Sequence, residues 1–163
     1  TKGGAGLQTH GIPGNSGAVQ GHRYHARVLA RHLAESHFGM RLPRRRVDAD
    51  QVVSFLLAEV SQGPELWHQR SYLARALVID VDQGIVDGGI VPLAHFVDSG
   101  GPNAVAIALE SNGHDDPYPA VYVRRGGEVT EHLLEPHPLL RFEGDEYRKA
   151  MIAALDGVLS PVK

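Results

Sequence analysis

Residues 104–109 read Ala-Val-Ala-Ile-Ala-Leu. In a strand, successive side chains point to opposite faces, so Val105, Ile107 and Leu109 share one face and the intervening alanines the other. A chain holding this segment must build a sheet with one bulky, buried side. The neighbouring punctuation agrees. Asp98-Ser99-Gly100-Gly101-Pro102-Asn103 is a turn, and Ser111 to Pro119 is a polar loop. Ala120–Arg124 and Glu128–Leu134 are joined by Gly126-Gly127, a two-residue hairpin signal. Upstream, Ala76–Val81 is a β-rich run closed by Asp82-Gln83-Gly84. Ile90–Val97 is another, in which Pro92 marks an edge or a late start. Pro136 and Pro138 end the sheet.

Helical periodicity flanks this strand block. From His22 to His37, Ala26, Leu29, Ala30 and Leu33 share one face, while Arg23, Arg27, Arg31 and Glu35 share the opposite one. Gly39 is a stop signal. After the basic connector at residues 41–46, Asp48 and Gln51 read as a capping box. The apolar spacing of Val52, Phe55, Leu56 and Val60 follows, closed by Gly63-Pro64. A short helical piece fits Glu65–Tyr72. Tyr147, Met151, Ile152, Leu155 and Leu159 form the stripe of a last helix over 145–159. Helices, then strands, then one helix is the order of an α+β fold, not of a βαβ repeat. The expected architecture has two layers. A mainly antiparallel sheet of four to five strands is packed against N-terminal helices and one C-terminal helix. Residues 1–21 hold seven of the 19 glycines and read as a flexible tail. Residues 22–163 then form a single domain, as the length of 163 residues suggests.

Composition removes several kinds of function. With no cysteine, disulfides, thiol nucleophiles and Cys-ligated metal sites are excluded. The 42% apolar and 21% charged fractions are those of an ordinary globular protein. No run of 18 apolar residues is present, and no signal peptide is visible, so a cytoplasmic protein without a membrane span is expected. Glycine-rich dinucleotide and phosphate loops are missing, as is the Gly-x-Ser-x-Gly elbow. Thr1 could act as an amino-terminal nucleophile, but Lys2-Gly3-Gly4-Ala5-Gly6 reads as an arm. The net charge of −3 is unevenly spread. Residues 1–63 hold eight Lys/Arg and four Asp/Glu, and residues 64–163 hold eight and fifteen. That asymmetry can steer a charged partner to one side.

The ten histidines are the most unusual feature. An imidazole can carry a proton near neutral pH or bind a metal through a neutral nitrogen. His22 and His25 lie one turn apart and are the candidate metal ligands. His32 sits roughly 10 Å further along the same helix, beyond reach of the same ion. Alternatively, these rings border the core and bond to backbone or water. His95, Asp98 and His114 are the candidate catalytic groups, as a His–carboxylate pair for general-base work or as N and O ligands of one divalent metal. His95 falls in the run Leu93-Ala94-His95-Phe96-Val97, which as a strand puts it on one sheet face with Leu93 and Val97. Asp98 could equally make an Asx turn. The loop residues Asp115 and Asp116 are candidate binding residues. Arg44, Arg45 and Arg46 are others, suited to phosphate or to an acidic partner. Without interleaved aromatics, and in an otherwise acidic chain, they do not suggest nucleic acid.

The segment Ile90 to Leu109, with its apolar-Pro-apolar-Ala stretch, the turn Asp98-Ser99-Gly100-Gly101-Pro102-Asn103 and the alternating strand behind it, resembles the central strands of the SUKH superfamily. The strand Ala120–Arg124 also fits, and Leu42-Pro43 ahead of the second helix is distantly similar to the family's helix entry, although the stretch between it and the helix is expanded by Arg residues. Pro102 departs from the family's Gly-Gly-Asn turn. Gly144-Asp145-Glu146-Tyr147 stands where the family has a Ser-Phe helix start. The resemblance covers about 35 residues. It implies an α+β fold and, as in many bacterial members, an immunity-type protein that binds and blocks a toxin domain; other members are eukaryotic regulatory adaptors. The leading expectation is therefore a non-catalytic protein-binding module without cofactor, for which a homodimer is also admitted. The rival is a small His-dependent enzyme, with or without one divalent metal. A third expectation is a ligand-binding or oligomeric structural subunit, whose sign would be an enclosed apolar cavity.

Overall fold

The structure, a computed structural model, describes residues 19–111 and 116–159. Five strands, β1 (Leu73–Asp80), β2 (Gly84–Pro92), β3 (Ala104–Glu110), β4 (Tyr118–Arg125) and β5 (Glu128–Leu133), form one sheet in the order β2-β1-β3-β4-β5. Every neighbouring pair is antiparallel. Local chemistry sets the two tight hairpins. Asp80 Oδ1 accepts the amides of Asp82 and Gln83 at 2.9 and 2.7 Å, turning β1 into β2. Gly126 and Gly127 both have positive φ, +59° and +91°, as a type I′ turn requires, and seat Arg125 opposite Glu128.

The alternation in β3 sorts the molecule into two unequal sides. Val105, Ile107 and Leu109 join Leu77, Val121 and Val123 in the main core. Three helices cover that core: α2 (Val52–Gln62, after a 3-10 turn at Ala49–Gln51), α3 (Pro64–His68) and α5 (Asp145–Ala154). Phe142, from the irregular segment before α5, is fully buried there and stacks on Trp67. The α+β, two-layer reading therefore holds. On the opposite face Ala74, Ala76, Ala104, Ala106, Ala108 and Ala120 leave a shallow surface. The single-turn helix α4 (Leu93–Asp98) lays Leu93 and Phe96 on it. The first helix, α1 (Val19–Ser36), stands off the sheet on this side, with Leu29 and Leu33 still exposed. Gly39, at φ +61°, closes α1 as expected, and the Met40 amide donates to Ala34 O at 2.9 Å.

Several local expectations are corrected. The run 90–97 is not one strand: β2 begins at Gly84, ends at Pro92 on the sheet edge, and Leu93–Asp98 is helical. A proline that cannot donate to a ladder closes the strand, and the buried Leu93 and Phe96, three residues apart, follow helical spacing. Asp48 precedes the 3-10 turn, but its side chain makes no capping hydrogen bond. The last helix ends at Ala154 rather than at 159, and Leu155 and Val158 are buried in the turns that follow. α1 starts at Val19, three residues before the expected His22, and the rest of the expected tail lies outside the described residues. No described helix is long and apolar enough to cross a membrane.

One ionic group sits at the edge of the main core. Arg75 pairs with Asp87 and lies 3.8 Å from Glu59 Oε2, with its guanidinium over the Phe55 ring at 5.3 Å. Burial raises the Glu59 carboxyl above its ordinary value, more than Arg75 lowers it. A raised acid stabilises the fold below its unfolded-state pKa and loses that contribution as pH rises through the folded value. Glu59→Gln is therefore expected to raise the melting temperature at pH 7. The gain should disappear below about pH 4, where the wild-type carboxyl is protonated in both states. Thermal denaturation at the two pH values checks it.

Candidate functional site

Ala76 and Gly88, small residues under a helix that stands off, leave space. A cavity of about 810 Å³ runs between α1, α4 and the β1–β2 half of the alanine face. Ala76, Val78 and Gly88 are among its sheet residues. Gly88 is the extra residue of a bulge, where the register shifts beside Ala76 and Leu77. Ala26, Val28 and Leu29 line it from α1, and Phe96 from α4.

Its polar groups come from four directions. His22, His25 and His32 project from α1 and His95 from α4. The His25 ring is held most firmly: Nε2 lies 3.0 Å from Gln69 Oε1, and the ring tilts against Tyr72 at 4.7 Å between centroids. Gln69 and Tyr72 are placed by a compact connection from α3 to β1. Ser71 adopts a left-handed conformation there (φ +57°), and its amide donates to Leu109 O at 2.9 Å. The His32 and His95 rings meet edge-on at 6.4 Å. Arg31 and Arg44 line the outer wall, Arg44 paired with Glu35 at 3.0 Å.

The remaining polar group is Arg124. It continues the face of Ala120 and Tyr122 along β4 and is 6% exposed. Its Nε donates to Pro102 O at 2.9 Å and its Nη1 to Phe96 O at 2.8 Å, while the guanidinium lies 4.5 Å from the Phe96 ring centre. Among the described residues no carboxylate lies within ion-pair distance of it. Burial lowers its pKa, the sign of a charge held out of water. Beyond the cavity, the Tyr122 hydroxyl is 2.8 Å from Glu110 Oε1 and 2.7 Å from Glu131 Oε1. Burial and the two acids push its pKa far upward, so the phenol stays protonated.

The expected site residues are thus only partly united. His22, His25 and His95 line one cavity, although His95 reaches it from a helix and not from a sheet face with Leu93 and Val97. Asp98 is exposed at the end of α4 and does not line it. His114 and Asp115 lie outside the described residues, and Asp116 is exposed. Arg44 borders the cavity and Arg45 a neighbouring cleft. Arg46 instead donates from Nε to Gln83 O at 2.7 Å. Among the described residues no three His, Asp or Glu side chains group to hold a metal. Sequence reasoning missed Arg124, Gln69 and the meeting of His32 with His95. Only Arg124 left a signal, a lone cation in register with apolar positions of a buried strand. No family model, curated protein or solved structure matches the chain.

Proposed function

We propose that the protein binds a small amphipathic acid, a carboxylate on an apolar body, in the cavity between α1, α4 and the alanine face. One observation carries this reading: Arg124 is a buried cation with no carboxylate partner among the described residues, in the wall of a largely apolar cavity. Buried charges are normally paired, and a ligand carboxylate would supply the missing charge. The volume of about 810 Å³ lies in the range of small-molecule sites. Titration calorimetry with decanoate and with decanol tests it. Saturable one-to-one binding is expected for the acid, about tenfold or more weaker for the alcohol. Ala26→Trp places a large side chain in the cavity from an exposed helix position and should abolish it. Equal affinity for acid and alcohol would overturn the reading, as would full binding by Ala26→Trp.

A His-dependent enzyme would use the same cavity, since His32 and His95 face it. Chemical change of the bound acid, followed by mass spectrometry, would add turnover to binding.

A protein-binding role, including the immunity-type role, draws support from a different surface. Phe38 and Met40, 77% and 55% exposed, follow the exposed Leu33 of α1. Arg23, Arg27 and Arg41 are exposed on the same segment, which suits an acidic protein partner. The resemblance of residues 90–123 to the SUKH superfamily points the same way. Phe38→Asp would abolish such a complex in a pull-down with the partner and leave decanoate binding in place.

A further inference from the structure

A second cleft, of about 190 Å³, adjoins the cavity on the other side of Val28 and Arg31. It brings together arginines from three separate stretches: Arg27 and Arg31 of α1, Arg44 and Arg45 of the connector, and Arg75 of β1. Only two carboxylates, Glu65 and Asp87, line it, so positive charge exceeds negative by three. Arg27 is 3.7 Å from Glu65, and Arg75 is taken by Asp87 and, from outside the cleft lining, by Glu59 at 3.8 Å. Glu35, outside the cleft, holds Arg44. Arg31 and Arg45 have no carboxylate within ion-pair distance among the described residues. Arg45 only approaches the Phe55 ring, at 6.0 Å, and Arg31 passes over Gly89.

From this we infer that the cleft is a phosphoryl site, taking a phosphate monoester or diphosphate independently of the acid proposed for the larger cavity. Several guanidinium forks around one small space suit a tetrahedral dianion with three acceptor oxygens, each able to take paired N–H donors. A single carboxylate, with one charge and two oxygens, would satisfy one fork and leave the other unpaired. The volume admits one or two phosphoryl groups and little more.

Calorimetry of the full chain with inorganic pyrophosphate in about 0.15 M salt tests the site, so that exposed charges are screened beyond ~8 Å. Saturable binding is expected, about tenfold weaker in Arg27→Gln and in Arg45→Gln and within about twofold of wild type in Arg41→Gln, which lies outside the cleft. The three positions are exposed, so unchanged melting temperatures will show that each variant is folded. Absence of saturable binding overturns the site. Equal weakening by Arg41→Gln also overturns it, because general charge attraction would then account for the affinity. Strict displacement of pyrophosphate by decanoate would place the anion in the larger cavity and overturn it too. Failure of decanoate to bind at all tests only the cavity, since pyrophosphate is titrated without it.

Discussion

Phe142→Ala is expected to destabilise the fold by about 4 kcal/mol, as large-to-small changes at fully buried aromatic positions do. Phe142 is fully buried, although it belongs to no helix or strand. Its ring lies 6.4 Å from Trp67 of α3 in a stacked arrangement and 5.4 Å from Tyr147 of α5 edge-on, so it joins two helices through one side chain. Truncation removes the transfer free energy of the ring and leaves a hole that rigid neighbours fill poorly. Docking of the 135–144 segment rests mainly on the same contact, since Leu139, Arg141 and Glu143 around it are exposed and Leu140 and His137 add only partly buried contacts. Against a total stability that is typically about 5–15 kcal/mol, the loss is large enough to unfold a substantial fraction at 37 °C. Urea unfolding, read as a midpoint shift at constant slope, measures it. Phe142→Leu should lose roughly 1–1.5 kcal/mol, since much of the volume is kept. A loss below about 1 kcal/mol in the alanine variant would mean that the segment is not anchored there.

The particular residues explain what the sequence made visible. The sheet was legible because its signals are local: alternation in 104–109, two glycines at 126–127, an aspartate ahead of a glycine at 80–84. Each acts within a few residues, and each appears in the structure as a strand or tight turn. Helix α4 was not legible, because Leu93-Ala94-His95-Phe96-Val97 is apolar enough to satisfy both periods. Only Pro92, by closing the strand, decides between them. The cavity was beyond reach for a different reason. Its existence depends on a negative feature, small side chains such as Ala76 and the bulge residue Gly88 that fail to fill the space under α1. Its polar groups come from residues as far apart as His22 and Arg124. Sequence spacing could place His22 beside His25 on one helix. It could not show that His32 would meet His95, or that five arginines from three stretches would share a cleft.

Arg124 is where fold and proposed function meet, and its variants should separate the two. A six-residue helix such as α4 cannot hold itself, because one turn of hydrogen bonds does not offset the ordering of its backbone. The guanidinium ties it down by donating two hydrogen bonds, to Phe96 O in the helix and to Pro102 O in the following turn. Removal of those donors in Arg124→Met, which keeps most of the apolar stem, is expected to destabilise by about 2–3 kcal/mol, since the buried Phe96 carbonyl and the part-buried Pro102 carbonyl lose a charged partner. Arg124→Lys keeps the charge but not the fork, so a smaller loss of about 1–2 kcal/mol is expected. A purely structural strap predicts that decanoate affinity follows folded fraction and nothing else. An acid site predicts something different: decanoate raises the melting temperature of the wild type and of Arg124→Lys clearly more than that of Arg124→Met. The size of the shift follows from linkage, about 2.7 kcal/mol of stabilisation when free ligand is a hundred times its dissociation constant. Equal stabilisation of the methionine variant would leave Arg124 as a strap alone and would remove the charge argument from the cavity.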